Sequence, residues 1–197
     1  QRRLLKIIQK LGNASVKKNI LIEAKELFYD GDFIDNLDNK PNLIAFNNGV
    51  IDFEKKEFRK GRPEDYISLS TNTNYIKLDD THKDIVKEIQ EFFKQIYPQP
   101  ELCKYMWEHL ASCMTGWNKM QTCQMYIGDG QNGKSALIQL MGLVLGQYKY
   151  EVTPAIITNE RVKPGGTCPE IVSMKGKRMV CIQETKKTDT LNEAMFK

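Results

Sequence analysis

The chain has 197 residues, a formal net charge of +4 and 41% hydrophobic content. That is enough apolar material for a packed core, and too little net charge to bind polyanions through bulk electrostatics alone. No apolar run approaches about 18 residues, the length a membrane-spanning helix needs, and the five cysteines form no CxxC pair of the kind a zinc ribbon uses. The expectation is a soluble, intracellular protein with scattered reduced thiols and no membrane partner.

Leu4, Leu5, Ile8 and Leu11 share one face of a predicted first helix, closed by Gly12-Asn13. Ser15 is the expected cap of a second, which carries Ile20, Leu21, Ala24, Leu27 and Phe28 and stops at Asp30-Gly31. Arg2, Arg3, Lys6, Lys10, Lys17 and Lys18 make these helices basic, as expected of a solvated face, with nucleic-acid contact as the alternative. From Asn42 the period changes from helical to alternating. Leu43–Phe46 and Val50–Phe53 read as a β-hairpin around Asn47-Asn48-Gly49, whose Asn-Gly pair suits the positive φ angles of a tight turn. A basic run follows, Lys55, Lys56, Arg59, Lys60 and Arg62, with Phe58 inside it. It reads as a charge-protected sheet edge, or as a surface that touches DNA. Tyr66–Leu69 is strand-like.

Thr81 is expected to open a helix with Asp84 as its capping-box partner, burying Ile85, Ile89, Phe92, Phe93 and Ile96. Pro100 starts another helix through Met106 and Leu110, closed by Gly116. His82 and His109 have no partners at metal-ligand spacing and are expected to be structural or on the surface. A boundary is expected near Gly116–Asn118, dividing an amino-terminal domain (1–117) from a second domain (118–197). Both ends read as cuts in something longer: the chain opens on Gln1, and Leu191, Ala194 and Met195 begin a helical pattern with no stop.

The second domain carries the chemistry. Gly128-Asp129-Gly130-Gln131-Asn132-Gly133-Lys134-Ser135 fits the phosphate-loop pattern GxxxxGK[ST] in full. Thr122–Ile127 before it suits a buried strand. After it, Ala136, Leu137, Leu140, Met141, Val144 and Leu145 recur at helical spacing until Gly146. In such a loop the glycines let successive N–H groups converge on anionic oxygens, at the positive end of the helix dipole. Lys134 would reach the β- and γ-phosphates, and Ser135 would place its hydroxyl on a magnesium ion. A phosphate loop also needs a carboxylate at the end of a neighbouring strand. Arg178–Glu184 is an apolar strand that delivers Glu184 to orient metal or water, with room after the loop for a crossover into a parallel sheet.

With Asn before Gly-Lys-Ser, the loop resembles the form found in superfamily III helicases of large DNA viruses, phages and plasmids. Gly165–Ile171, then Lys175–Val180 and Glu184, resemble the segment that family places between its first two motifs. Asn48–Asp52 and Pro63–Tyr66 are similar to the domain preceding the motor in poxvirus-type primase–helicases, and Leu191–Lys197 looks like the start of the next motif. The resemblance implies an ATP- and magnesium-dependent AAA+ motor that translocates on single-stranded DNA as a homo-oligomeric ring of hexamer type. A primase domain in the same polypeptide is also implied and, if the protein is viral, a place in the host cytoplasm or a viral replication site.

Gly128 to Ala136 would then form the nucleotide site, with Lys134 and Glu184 catalytic and Ser135 and Glu184 at the metal. One departure stands out: many such motors end this strand with two acidic residues, whereas here it ends Gln183-Glu184. The expected fold is mixed α/β: a mainly helical amino-terminal domain with a β-hairpin, then the start of a P-loop, parallel-sheet ATPase. Alternatives are a P-loop kinase of a small molecule and a non-catalytic nucleotide-binding assembly module. Kinases usually place the loop near their amino terminus, unlike this chain.

Overall fold

The structure is a computed structural model, and it describes residues 2–118, 121–128, 130–158, 168–183 and 190–193. The chain forms two compact units, 1–36 and 37–197, and its architecture is mixed α/β.

The first unit contains helices α1 (Arg2–Gly12), α2 (Ala14–Leu27) and the short α3 (Phe33–Asn36). Neither α1 nor α2 has a buried residue. The cap of α2 is Asn13 and not the expected Ser15. Asn13 leaves α1 with extended φ and ψ (−86°, 124°), so its side-chain oxygen accepts from the Ser15 N–H at 2.9 Å. The helix also stops earlier than expected, at Leu27.

The second unit begins with an antiparallel sheet in the order β1 (Leu43–Phe46), β2 (Gly49–Asp52), β3 (Glu57–Arg59). The hairpin forms as expected, but its turn does not. Phe46 pairs with Gly49, which leaves Asn47-Asn48 as the two turn residues, and neither they nor Gly49 have positive φ. Gly49 is required for a different reason. A Cβ there would lie 2.5 Å from the Arg59 carbonyl oxygen and 2.6 Å from the Phe58 ring, so glycine lets β3 close over it.

Tyr66–Leu69 is not a strand. Tyr66 is left-handed (φ 51°), and the Ser68 and Leu69 N–H groups are taken by the Asp38 carboxylate at 2.8 and 3.3 Å.

Helix α4 (Lys83–Ile96) is preceded by a 3₁₀ turn, Asp80–His82, capped by Asp79. This replaces the expected Thr81–Asp84 box, because the Thr81 N–H and hydroxyl are both spent on the Asp79 carboxylate. Of the apolar face expected on α4, Phe93 is buried while Ile85 is 58% exposed. Phe93 stacks on Trp107 of α5 (Pro100–Ser112), with ring centroids 4.1 Å apart.

Helix α6 (Lys134–Leu145) closes the core. Its Leu137, Met141 and Leu145 join Ile44 of β1, Phe93 of α4 and Met106 and Leu110 of α5 in one buried cluster. Ile44, Leu137 and Leu145 are fully buried, and each contributes about 1.5–3 kcal/mol by leaving water. Gly146 ends α6 at φ 53°, where a Cβ would meet the Thr71 carbonyl oxygen at 2.2 Å. Tyr148 follows and locks this end to the sheet region. Its buried hydroxyl accepts from the Ala45 N–H and donates to the Leu69 carbonyl, both at 3.0 Å.

The chain continues through β4 (Lys149–Val152), α7 (Ala155–Thr158), α8 (Pro169–Ser173) and β5 (Met179–Ile182). Strands β4 and β5 pair in parallel, from Lys149↔Met179 to Val152↔Ile182. Just before β5, Arg178 donates to the carbonyls of Lys40 and Leu43 at 3.0 and 2.9 Å and lies over the Tyr148 ring.

The buried strand expected at Thr122–Ile127 is absent. These residues carry no ladder, and Ile127 is 90% exposed. A central strand needs partners for its backbone, and the parallel pairing among the described residues is made by β4 and β5 with each other.

Candidate phosphate-binding site

The loop is built from the fixed α6 outward. Gly133 is the residue just before the helix, left-handed at φ 82°, and its carbonyl accepts the first helical bond, from the Leu137 N–H at 3.0 Å. A Cβ on Gly133 would sit 2.7 Å from Cγ1 of Ile96, the last residue of α4. Glycine is therefore needed twice here, for the backbone angle and for the close approach to α4.

Gln131 is also left-handed (φ 63°), while Asn132 between the two is not. Alternation of hand along successive residues is what turns neighbouring N–H groups into one anion-binding concavity.

Lys134 opens α6, and its side chain folds back across the loop. Its ammonium donates to the Gly128 carbonyl at 2.9 Å and to the Asn132 side-chain oxygen at 2.7 Å. The first and last parts of the motif are thus tied together by the lysine that the pattern singles out. Gly128 has little room for a side chain, since a Cβ would stand 2.3 Å from Nδ2 of Asn132. Gly130 faces open space. Ser135 and Ala136 lie exposed in the first turn of α6.

Gly128, Asn132, Gly133 and Lys134 are therefore brought together, and Ser135 and Ala136 stand beside them at the helix start. Asp129 and Glu184 lie outside the described residues, as do 165–167 and 194–197 of the segments singled out in the sequence. The strand expected to deliver Glu184 is present as β5, described as far as the exposed Gln183. Among the described residues no three His, Cys, Asp or Glu side chains gather as a metal site.

Sequence reasoning missed how the loop's approach is held. Tyr126 is half-buried, and its hydroxyl lies 2.9 Å from Nε2 of His109 on α5. Burial pushes the His109 pKa down and the Tyr126 pKa up, so both are neutral near pH 7 and the contact is an ordinary hydrogen bond. His109 is structural, as its lack of metal-spaced partners suggests.

The family described as D5 N terminal like matches residues 1–116. The chain belongs to this family. The matched D5-like region covers α1 to α5 and the three-stranded sheet, and it stops before the phosphate loop. The primase–helicase resemblance read from the sequence is therefore shown at the level of family.

Among similar proteins is one of Acanthamoeba polyphaga mimivirus provisionally named a helicase, 34% identical over 194 residues. That alignment covers 98% of this chain, so it runs through the loop, and 20% of the viral protein. A protein of Invertebrate iridescent virus 3, also provisionally named a helicase, is 34% identical over 172 residues, covering 86% of this chain and 18% of that protein. An African swine fever virus protein provisionally named a primase is 25% identical over 191 residues, covering 95% of this chain and 20% of that protein. The chain spans about a fifth of the length of these curated relatives. No helix among the described residues is long and apolar enough to cross a membrane.

Proposed function

We propose that this chain is part of an ATP-dependent DNA helicase motor in a replicative primase–helicase of a large DNA virus or phage. The motor would work as a hexamer-type ring translocating on single-stranded DNA. The D5-like family and the relatives named as helicases and primases support this reading. The observation that carries it to the loop is Lys134, which opens α6 and bonds back to Gly128 and Asn132 across left-handed Gln131 and Gly133.

The residues present fit a nucleotide phosphate. An anion entering the loop would meet the N–H groups of Gly130 to Ser135 and the positive end of a 12-residue helix. The Lys134 ammonium would exchange a carbonyl or amide oxygen for a phosphate oxygen, a charge-assisted contact of about 1.5–3 kcal/mol. Ser135, exposed in the first turn, would hold magnesium together with Glu184. Bound there, the ion would supply charge neutralisation on the transferred phosphoryl group. Glu184 would orient the attacking water. The functional division near residue 117 would fall inside one packed unit, since α6 shares its core with α4, α5 and β1.

The test is ATP hydrolysis by the full-length parent protein, with and without single-stranded DNA, beside Lys134→Ala and Glu184→Gln. The expected result is DNA-stimulated turnover lost in both variants, with Glu184→Gln still binding ATP. Turnover that ignores DNA and transfers phosphate to a small acceptor would make this a kinase, and bound nucleotide that never turns over would make it an assembly module.

A further inference from the structure

At the outer edge of the three-stranded sheet, Lys56, Phe58, Tyr75 and Lys77 line an open groove of about 560 Å³. The two rings stack with centroids 4.5 Å apart and planes 27° from parallel. Phe58 lies over Gly49, where a Cβ would be 2.6 Å from its ring, yet it remains 39% exposed. Tyr75 is held from behind. The Asn48 side chain accepts from the Tyr75 N–H at 2.8 Å and donates to the Tyr75 carbonyl at 2.9 Å, and Phe46 meets the Tyr75 ring edge-on at 5.7 Å. The aromatic pair is therefore a preformed platform.

The cations flank it. Lys56 and Lys77 are exposed, and neither is ion-paired with a carboxylate among the described residues. Arg59, in the same basic run, is spent: it makes a two-pronged pair with Asp65 at 2.7 Å on the opposite face of β3. Glu57 shares that opposite face by alternation. Lys56 has φ 54°, a left-handed angle that Gly or Asn would adopt more readily. Lysine at this left-handed turn position sets a positive charge beside the exposed aromatic pair.

We propose that this groove binds single-stranded DNA, with one base resting on the Phe58–Tyr75 platform and the adjacent phosphates on Lys56 and Lys77. Stacking on aromatic faces flanked by basic side chains is how single strands are held without reading sequence. The choice of DNA rests on the helicase reading above; the groove itself does not involve the phosphate loop.

The experiment is fluorescence anisotropy of labelled oligo(dT) with the purified chain, without nucleotide. Arms are an abasic strand of equal length, oligo(U), and the variants Lys56→Ala/Lys77→Ala and Phe58→Leu, each checked for fold by circular dichroism. Exposed Lys104→Ala on α5 is the control. Expected are binding of oligo(dT) weakened about 5- to 150-fold by Phe58→Leu, and a salt slope smaller by about 1.4 in the double lysine variant. Weaker binding of the abasic strand by the wild-type chain is also expected, a comparison that needs no variant. Equal binding of the abasic strand, or wild-type affinity and salt slope in the variants, would overturn the groove, and preference for oligo(U) would overturn the choice of DNA. Because no ATP is present, these outcomes are independent of the hydrolysis test.

Discussion

The three-stranded sheet and the phosphate loop show two ways of holding backbone in place. In the sheet region, irregular segments are fastened by carboxylates. Asp52 accepts from the Glu54 and Lys55 N–H groups, Asp38 from Ser68 and Leu69, and Asp65 from the Arg62 N–H and the Arg59 guanidinium. The loop is held differently. Its shape is inherited from α6, which is pinned by Gly133 against Ile96 at one end and by Gly146 and Tyr148 at the other. The sheet region is stabilised where it stands, whereas the loop is presented at the start of α6. A segment that must exchange internal hydrogen bonds for those of a ligand is better placed at the low-stability end of a fold.

The largest test of this contrast is Asp65→Ala. Asp65 and Arg59 are 8% and 14% exposed at their side chains, so the variant leaves a guanidinium buried without its carboxylate. A loss of about 3–5 kcal/mol in chemical denaturation is expected. The pH dependence has a definite sign. The hydrogen bond from Arg59 holds the Asp65 carboxyl below its ordinary value, with the Arg62 N–H helping and burial opposing. Its stabilisation is therefore complete above the unfolded pKa of about 3.9 and is lost as pH falls through the lower folded value. Wild-type stability should drop on that acid limb, and Asp65→Ala should flatten it. An unchanged acid limb would mean that Asp65 is not the group that fastens this turn.

Gly133→Ala probes the loop's attachment instead. The left-handed angle alone costs a residue with a Cβ about 1–2 kcal/mol, and the 2.7 Å approach to Ile96 adds to it. We expect a stability loss of about 2 kcal/mol in the same denaturation experiment. A neutral result would show that the loop is not braced against α4.

These two variants also mark what could be read from the residues alone. The helix behind the GxxxxGK[ST] pattern and its stop at Gly146 were legible because both follow from short-range rules of helix periodicity and termination. So were the hairpin strands and the start of α5 at Pro100. The fastenings were not. Asp38, Tyr148 and Arg178 act on segments 30 to 138 residues away, and nothing near them in sequence marks that partner. Caps failed more narrowly, by two residues, because Asn13 and Asp79 compete with nearby Ser15 and Thr81 for the same role. Strand β4 went unread although Tyr150 and Val152 are strand-prone, because the run is short and directly abuts the end of α6.

The smallest expected effect decides the sharpest disagreement. An apolar run before a phosphate loop suggests a buried strand, yet Ile127 stands 90% exposed, with no ladder partner for Thr122–Ile127. In that setting Ile127→Ser removes almost no buried surface, and stability should change by less than about 0.5 kcal/mol. Were the run buried between neighbouring strands, the same change would place a hydroxyl in the core and cost about 2–5 kcal/mol. Denaturation of the purified chain separates the two by a wide margin. The same pair of measurements on the full-length protein asks a further question. A cost that appears only there would show that the loop's leading strand is completed by sequence outside these 197 residues, and that the phosphate loop gains its rigid backing only on assembly of the whole domain.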